Sequence, residues 1–279
     1  MHTIKLNIKE KEKRCAPSKK YSEGSCFTFD NLKDIAKQIN NKFTSVNINL
    51  NQTKKELLKD LTKNLKNKYD CDDQLCWLNL DIVQDTNDSD IIENTFRPEG
   101  PDRGNEWLDS NNINNVLKQH EKIYSNFKSF GSVPIDFKTC EYYIDHDINR
   151  FSFNDLLNEN KTKFGVIINL DYCKGKGTHW VALYSDLIEG FIYYFDSYGT
   201  KPDNLIQEYI NKIQSFIKNK NKIPIYKYNQ TVHQKGGSEC GVYSLNFILR
   251  LLNGESFTKI TSKRLPDKEV QKCRSIYFT

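Results

Sequence analysis

Cys240, one of eight cysteines, is set where a thiol becomes reactive. It follows the polar loop residues Gly236, Gly237 and Ser238. It precedes an apolar run in which Leu245, Ile248, Leu249 and Leu252 recur at helical spacing. The pattern predicts a core-packed helix from Glu239 onward with Cys240 in its first turn. A sulfur there lies beside backbone N–H groups that lack intrahelical partners and at the positive end of the helix dipole. Both favour thiolate over thiol, and the thiolate is the form that attacks a carbonyl carbon.

Such a nucleophile needs a base in hydrogen-bond reach and a group that orients the base. Of the five histidines, His2 is terminal, His120 lies in a charged helical run and His146 in an ambiguous "YIDHDIN" stretch. His233 is too close in sequence to Cys240 for an easy turn-to-helix approach, though that approach stays open. His179 begins a strand-like run after the glycine-containing "KGKGT", and Trp180 follows it. The next strand-like run ends in "FDS", with Asp196 at its terminus. If these runs pair antiparallel, the start of one faces the end of the other, so His179 and Asp196 meet at one sheet edge. Gln234, six residues before Cys240, is placed for its amide to join the Cys240 N–H in binding an oxyanion. Each residue alone also has a plain role: Asp196 as turn former, Trp180 as core, Gln234 as a polar loop residue.

The elements that must position these groups follow from periodicity. Strand-like runs at 164–172, 179–186 and 190–199 precede an amphipathic helix, "PDNLIQEYINKIQSFIKNK", then a strand near "KIPIYKYN" and the cysteine helix. The result is an α+β domain with a central sheet flanked by helices. It opens with "EWLDSNNINNVLKQHEKIY", a helix capped by Asp109 or Ser110. "FRPEGPDRGNE" concentrates Pro, Gly and charge, and marks a boundary that divides residues 1–96, a mostly helical extension, from residues 97–279. In the extension, residues 1 to about 24 lack periodicity and read as loosely docked. Asp30 is the expected cap of a first helix, "FTSVNINLN" reads as a brief extended segment, and Thr53 with Glu56 form a capping box for a second helix.

Composition narrows the function classes. The longest apolar runs, such as "FGVIINL", are far shorter than the roughly 18 residues of a membrane span, so no membrane partner is expected. The N-terminal "MHTIKLNIKEKEKR" has no apolar stretch after its charges, so the eight cysteines are expected to be free thiols in a reducing, intracellular compartment. Cys71 and Cys76 are the closest pair, without a CxxC or a matching histidine pair, and no metal site is expected. Residues 1–70 carry 16 Lys and Arg against 8 acidic residues, while the remainder carries 25 against 28. A basic arm of this kind can hold nucleic acid non-specifically, and is equally well read as a solvated tail.

"HW" at a strand start, "FDS" at the next strand's end and "Q-x5-CGVY" at a helix start resemble the SUMO-specific protease and adenain superfamily of cysteine proteases. "WLDSNNINNVL" is similar to the helix that opens those catalytic domains. "FRPEGP", "VPIDF", "INLDYCKGKGTHWVALY", "YYFDSYG" and "SECGVYSLNFIL" resemble the thiol proteases of large DNA viruses. The resemblance implies a papain-like/adenain-like core with a helical N-terminal arm. It implies His179 as general base, Asp196 as its orienter, Cys240 as nucleophile and Gln234 as oxyanion donor. It also implies that Trp107 and Trp180 wall a slot admitting a diglycine backbone. The function implied is cleavage after Gly-Gly in structural precursor proteins during particle maturation, in the virion and host cytoplasm, without metal or organic cofactor. Removal of SUMO or ubiquitin from host conjugates is the enzymatic alternative, and a nucleic-acid-binding scaffold the non-enzymatic one. Glu239 stands where the SUMO proteases usually have Asp, for which local adjustment is expected.

Overall fold

The computed structural model describes residues 14–86, 88–101 and 105–279. The chain forms two units: one of the described residues up to Pro98 with Phe278 and Thr279, the other Glu99–Tyr277.

In the first unit, helix α1 (Phe29–Lys42) buries Leu32, Ile35, Ala36 and Ile39 at helical spacing. Its cap is Thr28, which exchanges hydrogen bonds with Asn31 in a capping box; Asp30 lies inside the first turn rather than at the cap. Helix α2 (Lys54–Tyr69) starts with the expected Thr53–Glu56 box and buries Leu57, Leu61 and Leu65. Both helices pack around Phe27 and Trp77, stacked at 5.7 Å between centroids. Two earlier expectations fail here. "FTSVNINLN" forms no strand, because the Asn40 amide bonds both the N–H and the C=O of Ile48 and takes the groups a strand partner would use. Residues 14–24 are not loose. Ala16 donates to the Thr95 carbonyl, Arg97 to that of Arg14, and Cys15 and Ala16 are buried. Residues 1–13 of the basic arm lie outside the described residues.

The free-thiol reading of the cysteines is corrected as well. Cys15–Cys26, Cys71–Cys76 and Cys140–Cys173 are disulfides, leaving Cys240 and Cys273 free. The bridged Cα atoms lie 5.3 to 6.2 Å apart, within bridging range. Separations of 11, 5 and 33 residues carry no signature of that proximity; the fold creates it.

The second unit holds a five-stranded mixed sheet in sequential order, giving the expected α+β class. Helix α3 (Ser110–Glu121) is capped by Asp109. Strands β1 (Phe127–Pro134) and β2 (Lys163–Asn169) pair parallel, and β2 pairs antiparallel with β3 (Trp180–Asp186). Strand β3 pairs antiparallel with β4 (Phe191–Phe195). After helix α4 (Asn204–Asn219), strand β5 (Ile225–Tyr228) runs parallel to β4. Helix α5 (Cys240–Leu252) follows. Ile206, Tyr209, Ile210, Ile213 and Ile217 of α4 cover one sheet face, against Val181, Leu183, Ile192 and Tyr194. Helix α5 covers the other: Phe247 stacks on Phe195 at 4.8 Å, and a Cβ at Gly165 would meet Ile248 at 3.2 Å. Both faces are covered, so all seven residues of β3 are buried and its apolar run shows no alternation. Every residue of α5 is buried too, so the helix is enclosed rather than one-faced.

Candidate active site

Strand register brings the first pair together. Ala182 lies opposite Phe195 in the antiparallel β3–β4 ladder, so His179, one residue before β3, and Asp196, one after β4, reach the same sheet edge. The Nε2 of His179 is 2.7 Å from Oδ1 of Asp196. Asp196 is buried and its backbone is clamped: its N–H donates to Asn229 Oδ1 at 2.9 Å, and Asn229 Nδ2 donates back to its carbonyl at 2.8 Å.

Cys240 is the first residue of α5, behind Glu239, whose side chain makes no cap bond. Its side chain lies beside the imidazole of His179, close enough to raise the His179 pKa. With Nε2 committed to Asp196, Nδ1 is the nitrogen left to face the sulfur. Burial works to lower the His179 pKa, but the hydrogen bonds and charges of Asp196 and Cys240 outweigh it and push the value up to about 9. The arrangement therefore favours an imidazolium beside the Cys240 sulfur at neutral pH. His233, the other histidine left open near Cys240, is turned to packing: its Nδ1 accepts the Leu265 N–H at 3.1 Å.

Gln234 is brought to the cysteine loop and is buried. Its Oε1 accepts from Ser197 Oγ at 2.7 Å, and its Nε2 donates to the Gly236 carbonyl at 2.9 Å and to the Tyr198 hydroxyl at 3.3 Å. A carbonyl only accepts, so the amide cannot be flipped. Ser197 also accepts the backbone N–H groups of His233 and Gln234, tying this loop to the end of β4. Glu239 folds its carboxylate back over Gly236, where a Cβ would press on it at 2.6 Å. Ser238 and Gln271 hold the carboxylate there.

The tryptophans wall a cleft of about 310 Å³ that also involves Leu108, Val133, Pro134 and Tyr172. His179 and Cys240 are not part of this lining; Trp180, which is, directly follows His179 in the chain. Trp107 is 45% exposed, whereas Trp180 is buried and donates its indole N–H to the Leu108 carbonyl at 2.8 Å. A Cβ on Gly241, next to Cys240, would meet Leu108 at 3.0 Å, so α5 abuts the tryptophan segment. Arg274 closes the frame, donating from Nη2 to the carbonyls of Glu106 at 2.6 Å and Ser238 at 3.2 Å. Asn229, Tyr198, Leu108 and Arg274 were all missed in the sequence; the one available signal was a polar residue, Asn229, immediately after a strand.

A sulfur at a helix start, an imidazole and a buried carboxylate in a row, on a mixed sheet covered by helices, define the class of thiol-dependent hydrolases. Residues 125–279 match the Ulp1 protease family, C-terminal catalytic domain, and the chain belongs to that family; it is a cysteine-type peptidase. It is 37% identical over 285 residues to a protein of Acanthamoeba polyphaga mimivirus that bears a thiol protease name, covering 95% of this chain and 92% of the relative. Similarity to a protein of African swine fever virus, named a SUMO-1 cysteine protease, is 27% over 244 residues, 80% of this chain and 89% of that one. The crystal structure of the African swine fever virus protease has the same fold, with a TM-score of 0.67 at 22% identity and coverage of 95% of each chain.

Proposed function

We propose that the chain is an endopeptidase that cleaves after Gly-Gly in viral structural precursors during particle maturation, acting in the virion and the host cytoplasm. The observation that carries this reading is the His179 imidazole bonded to Asp196 and set beside Cys240, with Trp107 and the adjoining Trp180 lining a cleft. The Cys240 thiolate attacks the glycyl carbonyl and forms a C–S bond. The oxyanion is held by the Cys240 N–H and the Gln234 amide, whose hydrogen it shares with the Tyr198 hydroxyl. The tetrahedral intermediate expels the amine, which takes the proton of the His179 imidazolium. Water, deprotonated by the now neutral His179, then cleaves the thioester and restores the thiol. Flat indole walls leave no room for a Cβ, so they select glycine by shape rather than by hydrogen bonding. The viral origin of both named relatives supports the structural-precursor substrate. The basic extension, residues 1–96, would hold the enzyme non-specifically on packaged DNA, raising its concentration near substrate.

A peptide-library cleavage assay with wild type and Cys240→Ala side by side tests the reading. Cuts after Gly-Gly by wild type alone are expected, and replacing either glycine by alanine should nearly eliminate turnover. Indifference to that replacement removes the role given to Trp107 and Trp180. The printed name of the swine fever relative favours a second reading, removal of SUMO from conjugates. A SUMO probe ending in an electrophile labels Cys240 efficiently only if that reading holds.

A further inference from the structure

We propose that Tyr198 is a positioning residue of this site: its ring fixes the plane of the His179 imidazole and its hydroxyl fixes the amide of Gln234. The inference rests on the roles proposed above for those two residues. The Tyr198 ring is stacked on the imidazole, with centroids 4.8 Å apart and planes at 26°. Its backbone N–H donates to Asp196 Oδ1 at 2.9 Å, the same oxygen that pairs with His179 Nε2. Its hydroxyl donates to the Gly236 carbonyl at 3.2 Å and accepts from Gln234 Nε2 at 3.3 Å. One side chain thus touches the base and the oxyanion donor, and its own backbone touches the orienter.

The stack supplies what the hydrogen bonds lack. The bond from Nε2 to Asp196 fixes one corner of the imidazole and leaves the ring free to turn about that bond. Rotation about it leaves the Asp196 bond intact at first, yet it swings the Nδ1 proton away from the sulfur and from a leaving amine. A ring laid on the imidazole face blocks the rotation. An aromatic face beside an imidazolium also stabilises its charge. Gly199 sets the presentation: its φ is +74°, and a Cβ there would meet the Gln230 carbonyl at 2.9 Å, so only glycine allows the turn that brings Tyr198 over His179. Burial and the nearby charges of Cys240 and Asp196 raise the phenol pKa, so the hydroxyl stays a donor while His179 is charged.

The test uses the full chain and two variants, Tyr198→Leu and Tyr198→Phe; the residue is 41% exposed, so neither opens the core. His179 is titrated by NMR, Cys240 is alkylated with iodoacetamide, and cleavage of a Gly-Gly-X peptide gives kcat and KM. In Tyr198→Leu the His179 midpoint should fall by about half a pH unit. Its kcat should fall on the order of tenfold with KM nearly unchanged. Tyr198→Phe keeps the ring, so the midpoint should stay within about 0.2 units while kcat falls roughly threefold through the loosened amide. An unmoved midpoint in Tyr198→Leu, or equal kcat losses in the two variants, overturns the proposal. If wild type leaves every Gly-Gly peptide intact, the cleavage specificity fails on its own. The titration and alkylation of Tyr198→Leu still decide the stack, and unchanged values in both overturn it.

Discussion

His179 and His233 are both removed from water at the cysteine end of the sheet, yet they are tuned in opposite directions. Burial lowers the pKa of each. For His179, the hydrogen bonds and charges of Asp196 and Cys240 override it and set the value at about 9. For His233, Arg250 and Arg264 add to burial and bring it down to about 4. Its carbonyl accepts Arg264 Nε and its ring accepts a backbone N–H, so it serves as a neutral packing group. Burial alone does not distinguish a catalytic histidine from a structural one; the sign of the neighbouring charges does.

The largest expected effect breaks the comparison at its root. Cys240→Ala and His179→Ala should each reduce kcat by on the order of 10⁴-fold or more, whereas His233→Gln should leave turnover within a few-fold. Comparable losses at both histidines in cleavage kinetics would erase the contrast. Gln234→Ala should cost roughly 10²- to 10³-fold in kcat if its amide binds the oxyanion, and a milder loss returns it to a loop role. The pH dependence sharpens the comparison. The folded-state value of His179 is raised, so its contribution to stability is full below about 6.5 and is lost as pH rises through about 9. Activity should decline over the same upper limb, and an NMR titration of Cys240→Ala should show a lower His179 midpoint because the sulfur's contribution is gone. The smallest effect concerns His233. Between about 6.5 and 4 the unfolded chain binds a proton that the folded chain refuses, so stability falls as pH falls across that window. The Tm of His233→Gln should show a shallower acid decline.

Much of the site was legible because local patterns carried it. The two strand-like runs around "HWVALYSD" and "FIYYF" fixed an antiparallel pair, and the pair alone brings His179 to Asp196. Asn229, Tyr198 and Arg274 were not legible, since each reaches the site by long-range closure that no spacing encodes: Arg274 meets Glu106 across 168 residues. Strand β1 went unread. Its register breaks between Ser129 and Ser132, and Gly131 has φ of +62° against the Asn114 side chain, which interrupts alternation. In the extension, an asparagine side chain in place of a strand partner defeated the period-two reading of "FTSVNINLN".

The Cys140–Cys173 bridge holds one wall of the cleft, where the Cys173 backbone N–H also donates to Asp136 Oδ1. Cys140 is buried but Cys173 is half-exposed, within reach of small thiols. Dithiothreitol added to protect the Cys240 sulfur from oxidation therefore attacks the bridge by exchange as well. Preparations handled under strong and weak reduction would then be two chemically distinct enzymes, with the same nucleophile and differently tethered cleft walls.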